Sequence, residues 1–199
     1  EILADERLGA CLIGPGMGNA FGAQERVLHV LRRGVPAVVD ADGLTIFEGA
    51  PELLMDTIEG PCVLTPHEGE FRRIFPDLDS GNRIELVCAA ARRAGCVVLL
   101  KGPDTVIADP QGRVVMNDNA PPWLATAGSG DVLAGLITGL LAQGVAPLEA
   151  AAMACWVHGR AAAMFGPGLI AEDLSEQLPA VLREIMLSGE EGQAEPNGC

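Results

Sequence analysis

Thr126-Ala127-Gly128-Ser129-Gly130-Asp131, followed at once by Val132-Leu133-Ala134-Gly135-Leu136, is a glycine-rich loop that opens a helix. Its glycines let the backbone turn sharply and come close to a ligand. The helix behind them aims unpaired N–H groups and the positive end of its dipole at that loop. An anion there is stabilised without any basic side chain. Asp131 stands in the first turn, placed to accept a proton from a substrate hydroxyl. On these residues alone an equal alternative stays open, that Ser129 or Asp131 only caps the helix.

Upstream of the loop, short apolar runs alternate with helical patterns. Ala10-Cys11-Leu12-Ile13 reads as a buried strand. A helix over 23–33 places Val27, Leu28 and Leu31 on one face, and Gly34 closes it in the left-handed conformation. Strands are expected over 35–40, 62–64 and 96–101, with a helix over 82–94 ended by Gly95. Strands separated by helices imply a mainly parallel sheet covered on both faces, an α/β fold. Residues 105–108 and 113–116 then flank Asp109-Pro110-Gln111-Gly112, which predicts a β-hairpin at one side of the sheet. After Asp131 the chain turns helical over 132–143, 147–164 and about 174–187. In the last helix Leu174, Leu178, Val181, Leu182 and Ile185 share a face, with Asp173 as the expected cap and Pro179 near its start. A single domain is expected over 1–187, with a disordered tail over 188–199.

Composition narrows the function. The net charge is −14, and no basic block interrupts it. So acidic a surface repels nucleic-acid backbones and anionic lipid, so any bound phosphate must be met by local donors. The longest apolar stretch, 132–142, is too short to span a bilayer. The six cysteines form no CxxC pair, and several lie in apolar runs. They read as buried thiols of a reducing, cytoplasmic setting rather than as disulfides or metal ligands.

Four further loops follow predicted strands. Gly14-Pro15-Gly16-Met17-Gly18 matches neither the dinucleotide fingerprint nor a P-loop, and by itself it reads more readily as a tight turn. Asp40-Ala41-Asp42-Gly43 suits a metal or a helix cap. In Leu64-Thr65-Pro66-His67-Glu68-Gly69-Glu70, Pro66 ends the strand, and His67 and Glu70 share a face if a helix starts there. Lys101-Gly102-Pro103-Asp104-Thr105 carries the one lysine of the chain. That lysine fits a phosphate contact or, alternatively, an exposed edge charge. Ligands of open α/β sheets bind beyond the carboxyl ends of the strands. Convergence of these loops on one edge is what favours a site.

Taken together with His158-Gly159, these segments closely resemble the NAD(P)H-hydrate dehydratase family of the ribokinase-like superfamily, in the family's order from about residue 10 to 187. The resemblance implies a three-layer sandwich and a repair reaction. A hydrated NADH or NADPH is phosphorylated on its ring hydroxyl by ADP or ATP, and phosphate then leaves to restore the double bond. It implies that Asp131 deprotonates the hydroxyl while Gly128, Ser129 and Gly130 hold the phosphoryl group. Gly16 and His67 contact the hydrate. Lys101, Gly102, Pro103, Asp104 and Thr105, with Gly130, contact the nucleotide. Glu70 serves Mg²⁺ through water. It further implies a homo-oligomer and a functional link to an NAD(P)H-hydrate epimerase. Two departures are visible. Residues that usually precede the segment at Ala10 are missing, which suggests a truncated chain. The Gly-Asp usual after His158-Gly159 is replaced by Arg160-Ala161-Ala162-Ala163, which predicts altered helix packing or an altered nucleotide-side contact. A vitamin-precursor kinase of the same superfamily and a degenerate nucleotide-binding module are the alternatives.

Overall fold

The apolar runs are strands because the chain covers them on both sides. In the computed structural model, which describes residue 5 and residues 7–191, they become β1 (Cys11–Ile13), β2 (Ala37–Val39), β3 (Cys62–Leu64) and β4 (Val97–Leu100), paired parallel in that order. Successive side chains alternate between faces. Val39, Leu64, Val98 and Leu100 enter one core, and Val38, Val63, Val97 and Leu99 enter the other. β5 (Thr105–Ala108) and β6 (Val114–Asn117) continue the sheet antiparallel as the expected hairpin, giving the order β1-β2-β3-β4-β5-β6. Asp109 closes the hairpin turn: its carboxylate accepts from Arg113 N at 2.9 Å and Arg113 Nε at 2.6 Å.

Parallel strands in sequential order need crossovers of one hand, so their helices share a face. α1 (Ala23–Leu31), α2 (Asp42–Thr45), α3 (Pro51–Met55), α4 (Glu68–Ile74) and α5 (Arg83–Ala94) supply Leu28, Leu44, Leu54, Phe71 and Val87 to the first core. Gly34 and Gly95, both with φ of 66°, follow α1 and α5 as expected. α6 (Ser129–Ala142) and α7 (Pro147–Phe165) cover the opposite face through Leu133, Ile137, Leu148 and Ala151. α8 (Ala171–Glu191) packs against them through Leu174 and Val181. The result is the three-layer α/β/α sandwich.

Several expectations need correction. α2 and α3 are too short to leave a periodic signal. In α8, Leu174 and Val181 are buried, but Leu182 and Ile185 are 52% and 41% exposed. Asp173 lies inside the first turn, and its Oδ2 accepts from Ile170 N at 2.9 Å, so it caps by reaching back. The helix also runs on to Glu191, into the stretch expected as tail. Propagation adds a hydrogen bond for each residue fixed, and Ser188 Oγ bonds Glu184 O at 2.9 Å. Residues 192–199, with Cys199, lie outside the described residues. Among the other cysteines, all free, Cys62, Cys96 and Cys155 are buried while Cys11 and Cys88 are half-buried.

The Arg160-Ala161-Ala162 departure has a structural account. Ala161 and Ala162 are fully buried against α8. Arg160 pairs with Glu184 of α8, Nη2 to Oε2 at 2.8 Å and Nε to Oε1 at 3.1 Å. Small residues and a two-pronged ion pair together dock α8.

The parallel strands all deliver their following loops to one edge, and two of those loops interlock. Gly14 has φ of 128°, and a Cβ there would sit 1.8 Å from Asp40 O. A Cβ on Gly43 would sit 2.9 Å from Ile13 O. Gly14→Ala therefore should lower stability by about 3 kcal/mol or more. Gly18→Ala, at φ of 66° in open space, should cost only about 1 kcal/mol. Thermal unfolding of both variants checks this; equal losses would contradict the interlock.

Candidate functional site

The carboxyl ends of β2, β3 and β4 hand their following residues to a shared network. Asp40 follows β2 and is 1% exposed. Lys101 follows β4 and donates from Nζ to Asp40 Oδ1 at 2.7 Å, with Glu70 Oε2 4.0 Å away. Thr65 and His67 follow β3. Lys101 N bonds Pro66 O at 2.9 Å, which ties this exit to that of β4. Lys101 is thus mostly buried between two carboxylates and is not an exposed edge charge. Between Asp40 and Asp42, Ala41 is held at φ 49° and ψ −121°. Such backbone is costly and survives where surroundings enforce it. Asp42 Oδ2 accepts from Gly18 N at 2.8 Å and so anchors the first glycine loop.

His67 and Glu70 do not share a helical face; they cap α4 reciprocally. His67 Nδ1 accepts from Gly69 N at 2.9 Å and Glu70 N at 3.3 Å, and His67 N donates to Glu70 Oε2 at 2.8 Å. With Nδ1 accepting, the ring proton belongs on Nε2, which lies 3.3 Å from Glu70 Oε1. A Cβ on Gly69 would meet the His67 ring at 2.9 Å. The capping geometry therefore accounts for the glycine of His-x-Gly-Glu.

The glycine loop before α6 arrives at the same edge. Gly128, at φ 84°, is the N-cap. Ser129 N bonds Thr126 O at 3.3 Å, and Asp131 N bonds Gly128 O at 3.1 Å. Among the described residues, Gly128 N and Gly130 N have no such backbone acceptor. These two N–H groups stand free at the positive end of α6. A Cβ on Gly130 would lie 3.5 Å from Lys101 Nζ. The one lysine of the chain therefore faces the loop.

Behind this contact lies a cavity of about 660 Å³. Lys101, Gly102, Pro103 and Thr105 line it together with Ser129, Gly130, Leu133 and His67. Cys155 and His158 of α7 line it too, and the segment 120–125 with Asn117 closes it. Trp123 Nε1 donates to Ala162 O at 2.9 Å and fastens that segment to α7. Burial pushes the Cys155 thiol up to about 12, so it lines the cavity uncharged. Gly16, Glu70, Asp104, Gly128 and Asp131 are outside this lining. Asp131 and Gly16 are exposed, and Glu70 is buried and paired with His67.

Of the expected residues, the fold thus gathers His67, Lys101, Gly102, Pro103, Thr105, Ser129 and Gly130 around one space. Sequence reasoning missed Asn117, Cys155 and the closing segment, and it gave His158 no role. Pro121-Pro122-Trp123, rigid and aromatic, was the signal for the closing segment. His158 Nε2 is buried without a hydrogen-bond partner among the described residues. Asp40 Oδ2 is likewise buried and unpartnered. Among the described residues no group of three His, Cys, Asp or Glu side chains could hold a metal. The donor set is two buried carboxylates, Asp40 and Glu70, beside an anion loop. This suits Mg²⁺, which is held by one or two carboxylates with phosphate and water rather than by a protein cage.

The chain matches the family model described as NAD(P)H-hydrate dehydratase over residues 1–180. It is 44% identical over 182 residues to the bifunctional NAD(P)H-hydrate repair enzyme Nnr of Salinibacter ruber, covering 88% of this chain and 34% of that protein. It thus spans about a third of that relative's length. The structure of ADP/ATP-dependent NAD(P)H-hydrate dehydratase from Bacillus subtilis, co-crystallised with ATP/Mg²⁺, superposes with a TM-score of 0.77 at 34% identity, over 88% of this chain and 64% of that one. A ribokinase-like superfamily protein from Enterococcus faecalis superposes with a TM-score of 0.75 at 26% identity, over 88% and 63%. The sandwich is ribokinase-like.

Two outcomes follow from the buried groups. Lys101→Met leaves Asp40 buried without its cation, which should cost roughly 2–4 kcal/mol, less than for a fully buried pair because Lys101 is 20% exposed. The double variant Asp40→Asn/Lys101→Met should regain most of it in thermal unfolding; a Lys101→Met protein as stable as the parent would contradict the pairing. Burial pushes the His158 imidazole down to about 4 against an ordinary 6.5, only partly opposed by the Ser129 backbone. The unfolded chain therefore takes up a proton that the folded chain refuses. The stability this confers is complete above about pH 6.5 and is lost as pH falls toward 4. His158→Gln should flatten that part of the stability–pH curve relative to the parent; parallel curves would contradict the buried neutral ring.

Proposed function

The chain belongs to the NAD(P)H-hydrate dehydratase family, and from that premise we propose that it repairs hydrated NADH and NADPH. The ring hydroxyl attacks the terminal phosphorus of ADP or ATP, and the nucleotide leaves one phosphate shorter. The carbon–oxygen bond then breaks, phosphate leaves with the electron pair, the neighbouring carbon releases a proton, and the ring double bond is restored.

The observation that carries this reading is the approach of Lys101 to Gly130 across the sheet edge. It brings an ammonium to the first turn of α6, where Gly130 N has no backbone acceptor among the described residues. Phosphoryl transfer needs little more than positioning and charge stabilisation of that kind. Asp131, exposed in the first turn, takes the hydroxyl proton. Ser129 shapes the loop between the two donors. Gly16 and His67 meet the hydrate from the β1 and β3 exits. Lys101 through Thr105, Asp104 included, meets the nucleotide, whose base enters the apolar cavity. When bound, Mg²⁺ would offset charge on the phosphates, and Glu70, through water, and Asp40 are the residues that would hold it.

The same reading makes the domain one that acts beside an epimerase. It also makes it a homo-oligomer, and it places the chain in the cytoplasm, where the five free thiols among the described residues stay reduced. No described helix is long and apolar enough to cross a membrane.

Asp131→Asn should bind ADP within a few-fold of the parent and lose about 10²–10⁴ in turnover. Calorimetry gives the first quantity; free phosphate and reduced nicotinamide formed from NADH hydrate give the second. Turnover within a few-fold of the parent would remove Asp131 from the role of base. A stable phosphorylated product would instead make the chain a small-molecule kinase.

A further inference from the structure

Arg83 is the first residue of α5, and Asn82 Oδ1 caps that helix by accepting from Ile84 N at 2.9 Å. Its side chain does not follow the helix surface into solvent. It reaches the end of β4, where Nη2 donates to Lys101 O at 2.9 Å and to Leu100 O at 3.3 Å. Nη1 lies 3.3 Å from Glu68 Oε2, and Nε is buried without a partner among the described residues. A guanidinium is most often spent on carboxylates. Here its closest contact is a backbone carbonyl.

The neighbouring glycine records the same contact. A Cβ on Gly102 would meet Arg83 Nη2 at 2.5 Å, and its three nearest atoms all belong to Arg83. Gly102 is not among the residues of positive φ. Its backbone therefore lies outside the left-handed region, and a side chain there would have to push the mobile guanidinium of Arg83 from its place. Lys101 N is meanwhile held by Pro66 O at 2.9 Å. The peptide corner that launches the Lys101 side chain is thus gripped from both sides, by the β3 exit and by Arg83.

We propose that Arg83 is a positioning residue for nucleotide binding, holding the Lys101–Gly102 corner so that Lys101 and the segment to Thr105 meet the phosphates in one geometry. The proposal rests on the nucleotide reading of this edge. Arg83 is absent from the cavity lining and acts through the corner it holds. Without it, Lys101 keeps its ion pair with Asp40, so the fold survives, but the corner is free to shift.

A double-mutant cycle with ADP as the probe tests this. Arg83→Met keeps the aliphatic stem and removes the atoms that Gly102 touches. It should weaken ADP binding by about tenfold, raise the nucleotide KM to match, and leave kcat within about threefold, the mark of lost uniform binding. Gly102→Ala should weaken ADP binding to a similar extent in the parent. In the Arg83→Met background Gly102→Ala should add almost nothing, because the obstruction has gone. Parental ADP affinity in an Arg83→Met protein that melts cooperatively overturns the proposal. So does a Gly102→Ala penalty of the same size in both backgrounds. If Arg83→Met does not fold, Gly102→Ala with unchanged ADP affinity overturns it alone. A parent chain that binds no ADP contradicts the nucleotide site itself and the role of Arg83 with it, an outcome distinct from loss of the Arg83 effect only.

Discussion

The ion pair between Lys101 Nζ and Asp40 Oδ1, 2.7 Å long, organises this edge of the molecule. Asp40 is 1% exposed. A carboxylate so buried is tolerable only with a cation and hydrogen bonds beside it. Its position is set by glycines: Gly14 and Gly43 let the β1 and β2 exits touch backbone to backbone. The position of Lys101 is set by main-chain bonds to Pro66 and Arg83. The pair therefore fastens the exits of β2 and β4 across β3, and the lysine that neutralises Asp40 is the one that faces Gly130. On the proposed reading, structural and functional demands meet on one ammonium group.

This arrangement resolves a conflict in the composition. A chain of net charge −14 repels a polyphosphate at long range, so attraction must be local and fixed. On the proposed reading the loop at α6 supplies it from backbone, through Gly128 N, Gly130 N and the helix dipole. The cavity behind is bordered by Pro122, Leu124 and Leu133. It offers apolar contact to a flat ring system, while His158 and Cys155, both held neutral, add no charge.

Much of this is legible in the sequence. Unbroken apolar runs such as Val97-Val98-Leu99-Leu100 belong to strands covered on both faces, and their alternation with helices implied the parallel order. Gly34 and Gly95 mark helix ends because their conformational demands are local. Side chains that act across the fold left no such mark. Arg83 looks like any residue in the first turn of a helix, and only the packing of α5 against β4 carries its guanidinium to Lys101 O. His67 and Glu70 could be seen as partners, but whether they share a face or cap reciprocally depends on where α4 begins. The α8 face was misread at Leu182 and Ile185 because periodicity shows which residues align, not how far the neighbouring helices extend to cover them.

The central claim is that nucleotide phosphates lodge between Lys101 and the N-terminus of α6. Backbone amide signals recorded by NMR while ADP and Mg²⁺ are added test it most directly. The account predicts that Gly128, Gly130 and the amides from Lys101 to Thr105 shift and gain exchange protection, while the hairpin turn at Gln111 and Gly112 stays unchanged. ADP binding that leaves Gly128 and Gly130 unperturbed would contradict it.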